Sequence, residues 1–260
     1  MSANHAAFNL IFRFVENYIS PIAGRISSQR HVMAIRDGFI SAMPFMIVGS
    51  FLLVFAYPPF SPDTTWGFAR AWLDLAKEFE GRILTPFDMT MGIMSIYICA
   101  AISYNLGKHY EKSNQLDPFM CAMLSIMAFL LIAAPKTNGT LPVDSLGGTG
   151  IFTAILVAIY CVEMMRFLKA HNIGIRLPDQ VPPMIKNSFD LLIPVLVVVL
   201  TLYPLSLFIQ HHFDMLIPQA IMAIFKPLVS AADSLPAILL AVLIGHLLWF
   251  AGIHGAAIVS

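Results

Sequence analysis

Of 260 residues, 58% are hydrophobic and 12% charged, where soluble domains carry roughly a quarter charged, and the mean hydropathy is +0.78. A chain of this size cannot bury so much apolar side chain in its own core, so lipid must solvate part of it. Fifteen basic residues balance fifteen acidic ones, which removes the electrostatic footprint of nucleic-acid binding.

The composition predicts an all-α, polytopic transmembrane helical bundle of about six spans, accompanied by interfacial amphipathic helices. Residues 1–30 lack the compact apolar region and small-residue cleavage site of a signal peptide. Instead Phe8, Ile11, Phe12, Val15, Ile19 and Ile22 recur at helical spacing, with Arg13, Glu16 and Asn17 between them, as in a helix lying in the interface. The first span is expected from about Gly38 to Phe60, uncharged, with Pro44 inside and Pro58, Pro59 and Pro62 ending it. Thr64–Arg82 carries Phe68, Trp72, Leu75 and Phe79 on one stripe, with Arg70, Asp74, Lys77, Glu78 and Glu80 elsewhere, and reads as an interfacial or re-entrant amphipathic helix.

A second span is expected from Pro86 to about Leu106, with proline at the helix start. The third opens on Asp117-Pro118 as N-cap and first residue and ends near Pro135. The fourth covers about Ile151–Leu168, behind a glycine-rich stretch, Gly147–Gly150. That stretch has neither the Lys-Ser/Thr ending nor the preceding strand of a phosphate loop, and reads as a flexible connection. The fifth runs from about Phe189 to Ile209, with Pro194 and Pro204 inside. Residues 211–230, interrupted by Pro218, Lys226 and Pro227, suggest a short interfacial helix, and a sixth apolar run starts near Pro236. Asn138-Gly139-Thr140 reads as an outer turn.

Ten of the basic residues fall on the N-terminal side of this topology (Arg13, Arg25, Arg30, Arg36, Lys108, Lys112, Arg166, Lys169, Arg176, Lys186) and five on the other (Arg70, Lys77, Arg82, Lys136, Lys226). The positive-inside rule then places the N-terminus in the cytoplasm. Cys99, Cys121 and Cys161 lie in or beside apolar runs without C-x-x-C spacing and read as small core residues. His211 and His212 are adjacent and should diverge on a helix, so no metal site is expected, and no cofactor.

Polar groups at membrane depth are the functional candidates, because burying them in lipid is costly. Glu163 and Arg166, at i, i+3 near the end of span four, read as a local pair. Asp88 reads as a charge favouring the N-terminus of span two. His246 and His254 lie in the last apolar run. His254 stands between Gly252 and Gly255, and each glycine weakens a helix by about 1 kcal/mol. Unwound backbone at membrane depth occurs where it is buried in protein or lines a watery cavity, and an imidazole there can exchange a proton near neutral pH. A packed histidine bonded to a carbonyl is the competing reading, and both stay open on these grounds. His246 reads as structural.

The run Trp249-Phe250-Ala251-Gly252-Ile253-His254-Gly255 resembles the enzyme IIC component of the lactose/cellobiose/diacetylchitobiose type of phosphotransferase permease. Two further stretches share the resemblance. One is His31-Val32-Met33-Ala34-Ile35-Arg36-Asp37-Gly38-Phe39-Ile40 with Met43-Pro44. The other is Asp179-Gln180-Val181-Pro182-Pro183 with Ile185 and Ser188-Phe189. The resemblance implies a homodimer in a bacterial inner membrane. Residues 1–210 would form the N-terminal transmembrane, dimerising part, and 211–260 a crossover helix and the incomplete start of the sugar-binding half. It implies a β-linked disaccharide as substrate and a phosphorylated IIB protein as the partner that holds the phosphoryl donor. His254, with Gly252 and Gly255, would face the sugar hydroxyl that is phosphorylated, with His254 orienting it or taking its proton. The family continues into further spans and an Asn-Glu-Pro motif that this sequence does not contain. The expectation is therefore a truncated permease, inactive alone. A non-transporting dimeric scaffold, or an unrelated secondary transporter or channel, are the alternatives.

Overall fold

A computed structural model describes residues 24–25, 27–135, 139–175, 182, 189–232 and 234–250. The regular elements of these residues are helices. In chain order they are α1 (Arg30–Ala56), α2 (Gly67–Asp88), α3 (Met94–Asn114), α4 (Pro118–Ala133), a single 3₁₀ turn (Gly148–Gly150) leading into α5 (Ile151–Ala170), α6 (Leu192–Phe213), α7 (Ile217–Ala232) and α8 (Leu235–Phe250). The expected N-terminal amphipathic helix lies outside the described residues.

Among the described residues, three helices are long and apolar enough to cross a membrane: α1, Gly148–Ala170 and α6; α4 and α7 are apolar but shorter. The other expected spans correspond to α3, α4 and α8. Contacts divide the chain into one unit of Asp37–Met222 and a second of Met1–Arg36 with Ala223–Ser260. Within the first, α3, α4 and α5 pack against one another, and α6 packs against α4 and α5.

Helix ends follow local chemistry. The first span begins eight residues before the expected Gly38, because the Gln29 side chain accepts from the Val32 N–H (3.1 Å) and serves the free donors of the first turn. The Asp117 carboxylate accepts from Phe119 N (2.9 Å) and Met120 N (3.3 Å) ahead of Pro118, as the sequence predicts.

Three expectations are corrected. Pro86 does not start a span. It lies in the last turns of α2, where the carbonyl it leaves without a helical donor belongs to exposed Arg82. The helix closes through Met91 N and Gly92 N on Phe87 O, and through the Thr90 hydroxyl on Pro86 O (2.9 Å). The chain then turns and α3 starts at Met94, so Asp88 ends a helix instead of opening one. Second, Gly147–Gly150 is not a loose connection. The Ser95 hydroxyl donates to Gly147 O (2.5 Å), Ser95 N donates to Leu146 O (2.9 Å), and Gly150 is buried. A Cβ on Gly150 would collide with the Ser145 carbonyl, so the glycine is needed for close approach. Third, α6 continues through His211 and His212 to Phe213. It stops where Asp214 turns left-handed (φ 51°), and α7 then runs uninterrupted over Pro218, Lys226 and Pro227.

The core is made of small and medium side chains. Ser95, Cys99, Ile102, Ser103, Leu106 and Tyr110 form the buried stripe of α3; Cys121, Leu124, Ser125 and Ala128 face it from α4, and Ala154, Ala158, Cys161 and Val162 from α5. Small residues let helices approach closely where lipid supplies no hydrophobic drive between them. A Cβ on Gly107 would lie 3.0 Å from Cys121 Sγ and 3.1 Å from Pro118 Cα, and one on Gly38 would strike Ile102. Ser103 satisfies its hydroxyl within the helix, donating to Cys99 O (2.6 Å), while that of Ser95 is satisfied across the fold by Gly147 O. The outer helices are the reverse. Only 17% of the apolar window of α1 or α6 is buried, against 44% for Gly148–Ala170, and Phe51, Phe55, Leu196 and Leu200 are exposed. That is the distribution expected of a bundle solvated by lipid.

Candidate functional site

Polar side chains collect where α3 and α5 end and α4 and α6 begin. Tyr110 lies on the buried stripe of α3, and its hydroxyl donates to Glu163 Oε1 on α5 (2.7 Å). One turn on, Arg166 donates through one Nη to Glu163 Oε2 (2.6 Å) and to the Tyr110 hydroxyl (3.1 Å), with its guanidinium 4.8 Å above the Tyr110 ring. The expected Glu163–Arg166 pair is present. Sequence reasoning missed Tyr110, although a tyrosine on an apolar stripe needs a partner for its hydroxyl.

A further turn along α5, Lys169 donates to the Gln115 carbonyl (2.6 Å) and pairs with Asp190 (3.2 Å) ahead of α6. Gln115 is the left-handed residue that ends α3 (φ 53°). An ammonium there satisfies a terminal carbonyl and complements the negative end of the helix. Above it opens a cleft of about 640 Å³, lined by Asn114, Gln115, Lys169, Asn172, Ile173 and Asp190 among others.

The charges of this cluster neutralise one another, which suits it to fixing helix ends. It contains no nucleophile with an adjacent base. Among the described residues, no group of three His, Cys, Asp or Glu could hold a metal ion. His211 and His212 do not diverge as expected: their ring centroids are 5.2 Å apart, edge to face, and His212 Nδ1 is 3.0 Å from Phe208 O. The three cysteines are free and buried. Just past the end of α1, the Tyr57 hydroxyl donates to Glu80 Oε1 (2.9 Å). That hydrogen bond, then the carboxylate's charge, raises the phenol's pKa above its ordinary value.

His254, Gly252 and Gly255 lie outside the described residues, as does the Asp179–Pro183 loop apart from Pro182; His246 sits on the backbone of α8, with nothing described of its side chain.

Comparison with known proteins places these features. A family model described as "Phosphotransferase system, EIIC" matches residues 36–260. The cellobiose-specific EIIC component of Geobacillus stearothermophilus is 33% identical over 265 aligned positions, covering 95% of this chain and 56% of that protein. The lactose-specific EIICB component of Streptococcus mutans serotype c is 34% identical over 246, covering 92% and 42%. Among solved structures, the transporter ChbC, the IIC component from the N,N'-diacetylchitobiose-specific phosphotransferase system, is similar with a TM-score of 0.80 at 33% identity, over 95% of this chain and 59% of that one. The chain spans about half the length of the curated relatives it matches.

Proposed function

The chain belongs to the phosphotransferase system EIIC family, and on that premise we propose that it carries a β-linked disaccharide of the cellobiose, lactose or diacetylchitobiose class across a bacterial inner membrane, coupled to phosphorylation of the sugar by a IIB partner. Membership sets aside an unrelated transporter or channel. The observation that carries the reading is the unbroken match from Arg36 to the last residue, laid over a bundle whose outer helices are apolar.

In this reading the N-terminus is cytoplasmic, because the basic residues concentrate on that side. The Tyr110–Glu163–Arg166 and Lys169–Asp190 contacts then lie on the cytoplasmic face, the side of the IIB partner. Residues 1–210 form the dimerising part, and 211–260 begin the sugar-binding half. His254, with Gly252 and Gly255 giving its segment room to leave the helix, meets the sugar hydroxyl that accepts the phosphoryl group. Its imidazole orients that hydroxyl or takes its proton as the phosphoryl group arrives from the IIB protein.

The test is phosphoenolpyruvate-dependent uptake of cellobiose, lactose and diacetylchitobiose in cells deleted for this gene and for other disaccharide permeases. Uptake of one of these sugars should return on complementation with the gene's whole reading frame, whereas residues 1–260 alone, about half the length of the relatives, are expected to restore none. A complemented strain that takes up none of them overturns the reading. His254→Gln in the complementing gene should slow coupled uptake by about 10²–10⁴, the range of a lost general base, and undiminished uptake would remove that role from His254.

A further inference from the structure

The side chains of α2 divide into three faces. Ala69 and Ala76 are buried, and the residues beside them touch the end of α1: Trp72 Nε1 donates to Phe55 O (3.2 Å), and Glu80 accepts from Tyr57. Arg70, Asp74, Lys77 and Glu78 form an exposed polar face. Between these faces runs a largely exposed apolar strip, where Phe68 is 61% and Leu75 56% exposed. Phe55, Phe60, Trp66, Phe68 and Trp72 pack around one end of the strip, with ring centroids 5.5–5.9 Å apart in tilted and edge-to-face pairs.

The way α2 meets α1 fixes its direction. Trp72 and Glu80, about 12 Å apart along a helix, touch Phe55 and Tyr57. Thr90 and Met91, past the end of α2, lie against Gly49. The contacts therefore advance nearly twenty residues along α2 and its exit but only six back along α1. Helices lying side by side would advance equally. The second helix is steeply inclined to the first and crosses its end. The uncharged part of α1, Gly38–Ala56, is about 28 Å long, the thickness of a bilayer core, so the end that α2 crosses sits at the membrane boundary.

We propose that α2 lies in the plane of the membrane interface, with the Phe68–Leu75 strip in the lipid and the Phe55–Phe60–Trp66–Phe68–Trp72 cluster at headgroup level as the anchor that sets its depth. Aromatic rings with a polar edge favour that layer, and the exposed charges of Arg70, Asp74, Lys77 and Glu78 keep the opposite side of the helix in water. The occupant of the strip is lipid, and this holds whichever sugar the chain carries.

The experiment places single spin labels at Phe68→Cys, Leu75→Cys, Arg70→Cys and Glu78→Cys in the full chain, reconstituted in bilayers. Collision with oxygen is compared with collision with a water-soluble nickel chelate. The native cysteines are buried, and the unsubstituted chain serves as the labelling control. Labels at 68 and 75 should collide several-fold more with oxygen than with nickel, and labels at 70 and 78 the reverse. If 68 and 75 are open to nickel, or shielded from both probes by a protein surface, the proposal fails. A second measurement needs no label. In a Trp249→Phe chain, the fluorescence of Trp66 and Trp72 should be quenched more by lipid brominated high on the acyl chain than near its end. Quenching by soluble disaccharide, with none by brominated lipid, would reassign the cluster to carbohydrate and overturn the proposal.

Discussion

Replacing Gly38 by alanine should separate two effects that usually travel together. An added Cβ at Gly38 would overlap the Ile102 side chain and lie 2.9 Å from Ile102 N and 3.0 Å from its Cα. Ordinary contact begins near 3.4 Å, so the α1 and α3 backbones must part by about 0.5 Å. Ile102 is fully buried, so it has nowhere to retreat. Overpacking of this kind costs about 1–3 kcal/mol, while alanine recovers about 1 kcal/mol of helix propensity. The net expectation is a loss of up to about 2 kcal/mol. Gly81, in the middle of α2, has no heavy atom within 4 Å of its added Cβ, so Gly81→Ala should gain up to about 1 kcal/mol from the same propensity term. The two variants carry the same chemical change with opposite signs, and their difference isolates the steric part. Reversible unfolding in mixed micelles, followed by far-ultraviolet circular dichroism, measures both. Adding Ile102→Ala to Gly38→Ala should relieve the side-chain overlap but not the backbone contacts, so the double variant should do better than the sum of the two single losses. If Gly38→Ala gains stability alongside Gly81→Ala, the close crossing of α1 and α3 is wrong.

Three other outcomes are expected. Asp117→Ala should destabilise the fold by about 1 kcal/mol through loss of the N-cap of α4, and Asp117→Asn should retain most of that stability in the same unfolding assay. A double-mutant cycle on Tyr110→Phe and Glu163→Gln should return a coupling of about 1 kcal/mol or less, since Glu163 and Arg166 are both partly exposed and solvent screens them; a coupling of several kcal/mol would mean that the cluster is dry. The phenol of Tyr57, obtained as the difference between the ultraviolet alkaline titrations of the parent and Tyr57→Phe chains, should ionise at higher pH than an ordinary tyrosine, and Glu80→Gln should bring it back down. Because the raised pKa favours the neutral phenol in the folded state, the contribution is present at neutral pH and is lost as pH rises through the shifted value; an unchanged titration in Glu80→Gln would show that the carboxylate is not the cause.

What the sequence reveals here is set by how local each signal is. Asp117-Pro118 is legible because cap and first turn are adjacent, and the fourth span is legible because its apolar run is continuous. Pro86 misleads because proline suits the start of one helix and tolerates the exposed last turns of another. Its place depends on the turn at Gly92, which is closed by bonds to Phe87. Gly147–Gly150 reads as loose because nothing nearby reveals Ser95, fifty-two residues before, as its partner. The stripe of Phe68, Trp72, Leu75 and Phe79 looks like the face that packs, yet the structure buries Ala69 and Ala76 beside it. In water a large apolar stripe must seek protein; at a membrane it can seek lipid, so hydrophobic periodicity finds the helix without telling which side meets its neighbours. The Glu163–Arg166 pair is local and legible, whereas Tyr110 comes to it, and Asp190 to Lys169, across the fold.

The bond from Ser95 to Gly147 bears on mechanics. It joins the first turn of α3 to the segment that feeds α5, while Lys169 holds the far ends of the same two helices through Gln115. A pair of rods pinned at both ends, with α4 wedged along them, resists both sliding and splaying. Any sliding or splaying of α3 against α5 must therefore first break the Ser95–Gly147 or the Lys169–Gln115 bond, so these two helices and the glycine turn between them are expected to move, if at all, as one piece.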